Sequence, residues 1–273
     1  MNRPSWARAI RYAAPTLLVL FTTLVLVLPS LIPGDPNAIN MDHILLPPGR
    51  GGILGYDQLG RDEGLRLLHG GRMALATGLA AVTSSAIIAT LLGLTAGYLG
   101  GKSDLAIAAV IDLLLAVPGL LVTLAVLGIL GTGRLPMIVA LVGGSWASEA
   151  RIIRSRGLSI RTSGYVEAAR ALGATDSRIL WKHVLPNSMS TLLVLASLSL
   201  GEILLVVSGL SFLGLGAQPP DADWGTMLSD SRSYLGQAPW LMVAPGACIV
   251  LFSLLCNLSG DALRSALDRG AGR

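Results

Sequence analysis

Apolar positions in this chain come in long runs and not in alternation. They cover residues 13–32, 73–96, 105–130, 135–147, 188–210 and 240–258. A run near twenty residues, at 1.5 Å per residue in a helix, matches the hydrocarbon thickness of a bilayer. The fourth is short and has to borrow flanking residues. The pattern predicts an all-α integral membrane protein with six transmembrane helices and both chain ends on one side. Between the first two runs, residues 33–72 are polar and rich in Pro and Gly, with a short amphipathic helix expected near Asp62 to His69. The division that results is an N-terminal stretch 1–12, a first helix 13–32, a loop 33–72, a five-helix core 73–258 and a tail 259–273. Within the core, polar loops cover 150–187 and 211–239.

Charge orients this arrangement. With 52% hydrophobic residues, 13% charged residues and a mean hydropathy of +0.67, the chain has about half the charge usual for a soluble domain. The 20 Lys and Arg exceed the 16 Asp and Glu, but they flank apolar runs and do not cluster with aromatics. That pattern serves membrane topology and leaves no nucleic-acid surface. A cytoplasmic N-terminus puts 14 of the 20 basic residues inside, among them Arg3, Arg8, Arg11, Arg269 and Arg273. The stretch 150–187 is then cytoplasmic, and the loops 33–72 and 211–239 are external. No Ala-x-Ala pattern follows the first run, so an uncleaved helix is expected there.

Several chemistries drop out. Cys248 and Cys256 lie eight residues, or about 12 Å, apart on one helix and cannot pair within it. His43, His69 and His183 are too scattered for a metal site. No His or Cys stands beside a carboxylate within the apolar runs, which leaves an intramembrane enzyme without catalytic residues. The segment from Ala96 to Ser103 satisfies a relaxed phosphate-loop pattern, but such a loop works between a buried strand and a helix of a soluble domain. Here it joins two membrane runs and reads as a tight turn.

The most informative stretch is polar and basic, residues 164–187. Tyr165, Ala168, Ala169 and Leu172 recur at i, i+3, i+4 and i+7, so a helix here carries one narrow apolar stripe. Gly173 supplies the stop. A short helix of this kind, held between two membrane spans, suits a groove on another protein. Glu167 is available to a basic partner or to Arg170.

The spacing Glu167-Ala-Ala-(x)3-Gly173-(x)9-His183-x-Leu-Pro186 resembles the cytoplasmic "EAA" loop of ABC-importer permeases. His183, where an apolar residue is usual, is similar to the peptide/nickel branch. Tyr56-Asp57-Gln-Leu-Gly-Arg-Asp62, Ser211-Phe-Leu-Gly-Leu-Gly216, Gln218-Pro-Pro220, Trp224-Gly225 and Asn257-Leu-Ser-Gly-Asp-Ala-Leu-Arg264 also resemble the C-type permease subunit of that branch, in order and at matching spacings. The resemblance implies a type I ABC importer permease fold in a bacterial plasma membrane, with cytoplasmic coupling helices docked on a separate ATPase. Tyr165, Glu167, Ala168, Ala169, Leu172, Gly173, His183 and Pro186 would carry that coupling. It further implies a homologous permease as partner, two ATP-binding subunits that use ATP and Mg, an extracytoplasmic solute-binding protein, and no cofactor or enzyme activity in this chain. The competing reading is an ion-coupled secondary transporter or channel subunit. That reading calls for paired broken helices or an internal repeat, and no repeat is evident between the halves.

Charges inside the runs point to the pathway, because burying them in lipid costs several kcal/mol unless they face a cavity or a partner. Asp112 and Glu202 are the two candidates, with Glu202 favoured as a solute or gate residue and Asp112 as a salt bridge or cap at a helix contact. Glu149 reads as a solvated partner of Arg151. Gly93 with Gly97 and Ser197 with Gly201 give small-residue spacings suited to close helix packing. For the solute, Val206 and Val207 stand where peptide-type permeases usually have a Glu-Ala pair. That feature lies closer to nickel-type or metallophore-type permeases.

Overall fold

The computed structural model describes residues 5–221 and 223–270. The described residues form helices and turns, with one isolated bridge between Tyr56 and Asp62. In chain order the helices are α1 (Ser5–Leu31), α2 (Glu63–Leu99), α3 (Gly101–Leu115), α4 (Gly119–Leu130), α5 (Arg134–Arg161), α6 (Gly164–Ala171), α7 (Asp176–Ile179), α8 (Leu185–Phe212), α9 (Trp224–Ser231) and α10 (Trp240–Gly270). The side chains of Arg3, Arg8, Arg11, Arg269 and Arg273 lie outside the described residues.

Among the described residues four helices, α1, α2, α8 with its preceding turns, and α10, are long and apolar enough to cross a membrane. A fifth span results if α3 and α4 count as one. The expected count of six included the run at 135–147. That run is the first half of α5, whose 28 residues are long enough, but Arg151, Arg154, Arg156 and Arg161 make its second half too polar. The third expected span is not continuous either: α3 and α4 meet at an 86° bend. Pro118 accounts for the break, since it has no N–H to give and disfavours helical geometry at Val117.

The amphipathic helix expected near Asp62 to His69 is the beginning of α2. Asp62 caps it, its Oδ1 accepting from the Leu65 N–H at 2.9 Å, and nothing downstream interrupts the hydrogen-bond ladder. The result is one 37-residue helix, ~55 Å long. The tight turn expected within the segment from Ala96 to Ser103 shrinks to Gly100, and Asp104 sits in the first turn of α3.

α2 is the central element and packs on α1, α5 and α8. One end of the bundle, the α9 end, carries the loop 32–62 and α9. Trp224 is fully buried there and donates from Nε1 to the Leu67 carbonyl at 2.9 Å. It joins Leu75, Leu204 and Phe252 in a core shared by α1, α2, α8, α9 and α10. The opposite end, the α6 end, has its own core of Tyr98, Ile153, Ile160, Val166, Ile179 and Val184. Near it, α2 and α5 cross backbone against backbone: a Cβ added at Gly97 would lie 3.1 Å from the Gly157 Cα, and one at Gly93 would lie 2.7 Å from the Ala150 carbonyl. The Ser197 and Gly201 spacing serves α8 against α10, where Ser253 Oγ donates to the Gly201 carbonyl at 2.9 Å.

Candidate functional site: an exposed docking helix and an acidic cavity

α6 is eight residues long and hangs between α5 and α8. An isolated helix this short is not stable, so packing has to hold it. Val166 supplies the anchor, fully buried in the α6-end core, and Ala169 packs against the same cluster. With Val166 and Ala169 turned inward, Tyr165, Ala168 and Leu172 form the outward line; Leu172 is 89% exposed and Tyr165 45%. The four-residue stripe read from the sequence is therefore divided, three residues outward and Ala169 inward. Glu167 is also outward and makes no ion pair among the described residues.

The helix ends in a Schellman turn. Ala174 N–H bonds the Ala169 carbonyl at 3.0 Å and Gly173 N–H the Arg170 carbonyl at 2.9 Å, with Gly173 at φ +80°. An L side chain is strained there, which is why glycine ends the helix.

α7 follows, and its first residue ties the segment to α2: Tyr98 donates its hydroxyl to Asp176 Oδ1 at 2.7 Å. Arg170 lies over the Tyr98 ring, 5.2 Å from its centroid, and its Nε is 3.8 Å from Asp176. Arg170 is thus engaged with Tyr98 and Asp176, away from Glu167. From α7 the chain passes through a π turn at Leu180–Val184 into α8. Pro186 has no N–H for the ordinary ladder, and Leu185 N–H reaches back five residues to the Leu180 carbonyl instead. His183 sits in this turn, half-buried, its ring 6.2 Å from that of Tyr165. Tyr98 and Val166 were not singled out in the sequence. The available signal for Tyr98 was an aromatic hydroxyl at the very end of an apolar run.

A second site lies where the α3–α4 bend opens a cavity of about 280 Å3 between those helices, α5 and α8. Its polar wall consists of Thr123, Ser145, Ser148, Glu149, Ser199 and Glu202. Glu202 is exposed and has no ion-pair partner among the described residues. Glu149 is only 6% exposed, and its Oε1 accepts from Ser199 Oγ at 2.7 Å. It does not pair with Arg151, because residues two apart on a helix point about 200° from each other. Arg151 bonds Asp112 instead, at 2.6 Å, across α5 and α3. Asp112 is therefore the salt bridge at a helix contact and does not line the cavity; Glu149 takes its place beside Glu202.

The loop before α2 is built on one carboxylate. Asp57 accepts from the Leu59 and Arg61 N–H groups at 2.9 Å each, and pairs with Arg61 Nε at 2.6 Å and Arg66 Nε at 3.4 Å. All three charged groups are buried, so the segment 56–62 has a structural role in seating the start of α2.

Residues 89–273 match the family described as "Binding-protein-dependent transport system inner membrane component". The glutathione transport system permease protein GsiD of Pectobacterium atrosepticum is 39% identical over 271 residues, covering 97% of this chain and 90% of that protein. The di/tripeptide transport system permease protein DppC of Pseudomonas aeruginosa is 40% identical over 258 residues (92% and 84%). The nickel transport system permease protein NikC of Escherichia coli K12 is 38% identical over 237 residues (87% and 86%). Among solved structures, an inward-facing MetNI methionine ABC transporter chain aligns with a TM-score of 0.55 at 23% identity, covering 73% of this chain and 95% of that one; this likeness concerns the fold. The match extends through the α3–α4 bend, the cavity, α6 and α8. Among the described residues one helix pair, α3 with α4, is broken in this way, where an ion-coupled carrier calls for two. A helical bundle that hangs a short exposed helix at one end, over the length shared with these permeases, belongs to the binding-protein-dependent inner membrane transport components and is a permease subunit of an ABC importer whose ATPase is a separate chain.

Proposed function

We propose that this chain forms one half of a translocation pathway for small peptides or metal chelates and is driven through α6 by a separate ATPase. The observation that carries the coupling role is the outward line of Tyr165, Ala168 and Leu172. It is an apolar surface on a helix held from the other side by Val166, Ala169 and the contacts of Arg170 with Tyr98 and Asp176. Burial of such a line in a groove of the ATPase accounts for leucine at a position so fully exposed. In this reading the α6 end is cytoplasmic, in keeping with the positive-inside distribution, and the α9 end receives solute from a binding protein. A homologous permease supplies the other wall of the pathway, and two ATPase subunits using ATP and Mg bind one permease each. Movement of α6 would tilt α5 and α8 and so open the cavity to one side or the other.

Glu202 and Glu149 are the pathway residues. A carboxylate at membrane depth with no basic neighbour is costly, and a cationic group on the passing solute compensates it. Peptide ammonium groups and metal ions both meet that description, and the relatives' names cover both. The test is uptake in a deletion strain expressing this chain with its native partners, offered labelled dipeptides, nickel, or metal chelates in turn. Glu202→Gln is expected to lower uptake of the accepted solute about tenfold or more while leaving the complex intact. Unchanged uptake by Glu202→Gln and by Glu149→Gln would remove both residues from the pathway, and uptake of none of these solutes would remove the solute assignment.

A further inference from the structure

The positive-inside distribution leaves the α9 end poor in basic residues, yet three of those it has converge on one place. A cavity of about 460 Å3 at that end is lined by Arg66, His69, Arg72 and Arg134, with Asp221 as its one acidic residue. Arg66 is paired, its Nε 3.4 Å from the Asp57 carboxylate that it shares with Arg61 and its Nη1 donating to Asn37 Oδ1 at 3.2 Å. The other two are not. Arg72 donates from Nη1 to Ser30 Oγ at 2.9 Å but has no ion pair among the described residues, and neither does Arg134. The Nε2 of His69 is buried with no hydrogen-bond partner. Further along α2 the lining becomes apolar at Met73 and Ala76, and α1, whose Ser30 accepts from Arg72, ends at Leu31, which is 70% exposed. The cavity thus lies where the bundle passes from membrane-facing to polar surface. It combines two guanidinium groups without an ion pair, an orphaned imidazole nitrogen and an apolar floor.

We propose that this cavity is a binding site for a phosphate or carboxylate group, with Arg72 and Arg134 as the charged donors. The planar fork of arginine matches both anions and is stronger there than a neutral hydrogen bond. At 460 Å3 the space exceeds a lone anion, so the ligand carries a larger body whose less polar part rests on Met73 and Ala76. An anionic phospholipid headgroup has that form, and so does a small acidic solute. The site is separate from the cavity at Glu149 and Glu202 and does not depend on the identity of the transported solute.

The test uses the complete transporter in nanodiscs of phosphatidylcholine with or without phosphatidylglycerol, and, in a second arm, inorganic phosphate in solution. Native mass spectrometry reads lipid retention, and thermal unfolding reads phosphate binding. Selective retention of phosphatidylglycerol identifies the lipid source; a phosphate-dependent rise in Tm without lipid selectivity identifies a soluble anion. Either signal is expected to fall about tenfold in the double variant Arg72→Gln, Arg134→Gln and to persist in Arg50→Gln, whose arginine lies on the exposed loop away from the cavity. A signal that survives the double variant overturns the proposal. So does a wild-type complex with neither signal, a result that stands even if the double variant fails to assemble.

Discussion

Leu172→Asp separates docking from folding, because Leu172 has almost nothing to lose within its own chain. At 89% exposure it touches little, and no residue of the α6-end core depends on it. A surface change of this kind alters stability by about 0.5 kcal/mol or less. Burying a leucine in an ATPase groove stabilises the complex by roughly 1.5–3 kcal/mol, and that is lost in the variant. The aspartate adds the cost of a carboxylate placed against an apolar wall. The sum corresponds to docking weakened by about one to two orders of magnitude at the least. The assay is co-purification of the ATPase with the tagged permease, alongside ATP hydrolysis stimulated by solute-loaded binding protein. The expected outcome is normal permease level in the membrane, poor ATPase recovery and no stimulated hydrolysis. Ala168→Arg is expected to behave alike, whereas Ala169→Arg unseats α6 itself, because that residue packs inward. Full ATPase recovery with Leu172→Asp would refute the claim that the outward line is the docking surface.

Tyr98→Phe keeps the ring under Arg170 but removes the bond to Asp176, a loss of about 1 kcal/mol; solute moved per ATP should fall at constant protein level, and an unchanged ratio would deny Tyr98 a part in coupling. Gly97→Leu forces a side chain into the backbone of α5 at Gly157 and should cost ~3 kcal/mol or more, seen as loss of protein from the membrane. Gly128→Leu, with open space around it, is the matched control and should accumulate normally. Burial raises Asp230 above the ordinary carboxylate range, so the folded chain keeps a proton that the unfolded chain releases. Stability from this group is full below about pH 3.9 and is lost as pH rises through the raised value. Wild-type Tm should therefore decline across that window relative to Asp230→Asn, and parallel curves would contradict the assignment.

The apolar runs made the helical class legible, because span length and loop charge are one-dimensional properties, and the motif from Glu167 to Pro186 with those around it carried the family resemblance. They could not convey that Glu149 is buried and Glu202 exposed on the same cavity, since this depends on α5 and α8 facing each other across the bend. Pro118 lay in plain view inside the third run, but run length alone masked it as a breaker. The amphipathic start of α2 was read as separate because its polar residues, Arg66, His69 and Arg72, interrupt hydropathy without interrupting the helix. For α6, periodicity identified the apolar residues. It did not divide them, because Val166, outside the stripe, decides which way the helix turns.

The glycine contact of α2 with α5 is one end of a long seam. Ala81 and Val82 share a core with Met137, Ala140 and Leu141, Ser85 bonds Ser145 at 3.0 Å, and Gly93 and Gly97 lie against the α5 backbone. Fastened at so many points, neither helix can pivot on the other, and the pair behaves as one stiff body. Tyr98, at the α6 end of that body, is the residue bonded to Asp176 of α7. The far end carries the buried charges of the loop before α2 and the seat of Trp224. A displacement imposed at Tyr98 therefore reaches that end along the ~55 Å of α2 as a rigid-body movement, with little lost to bending between them.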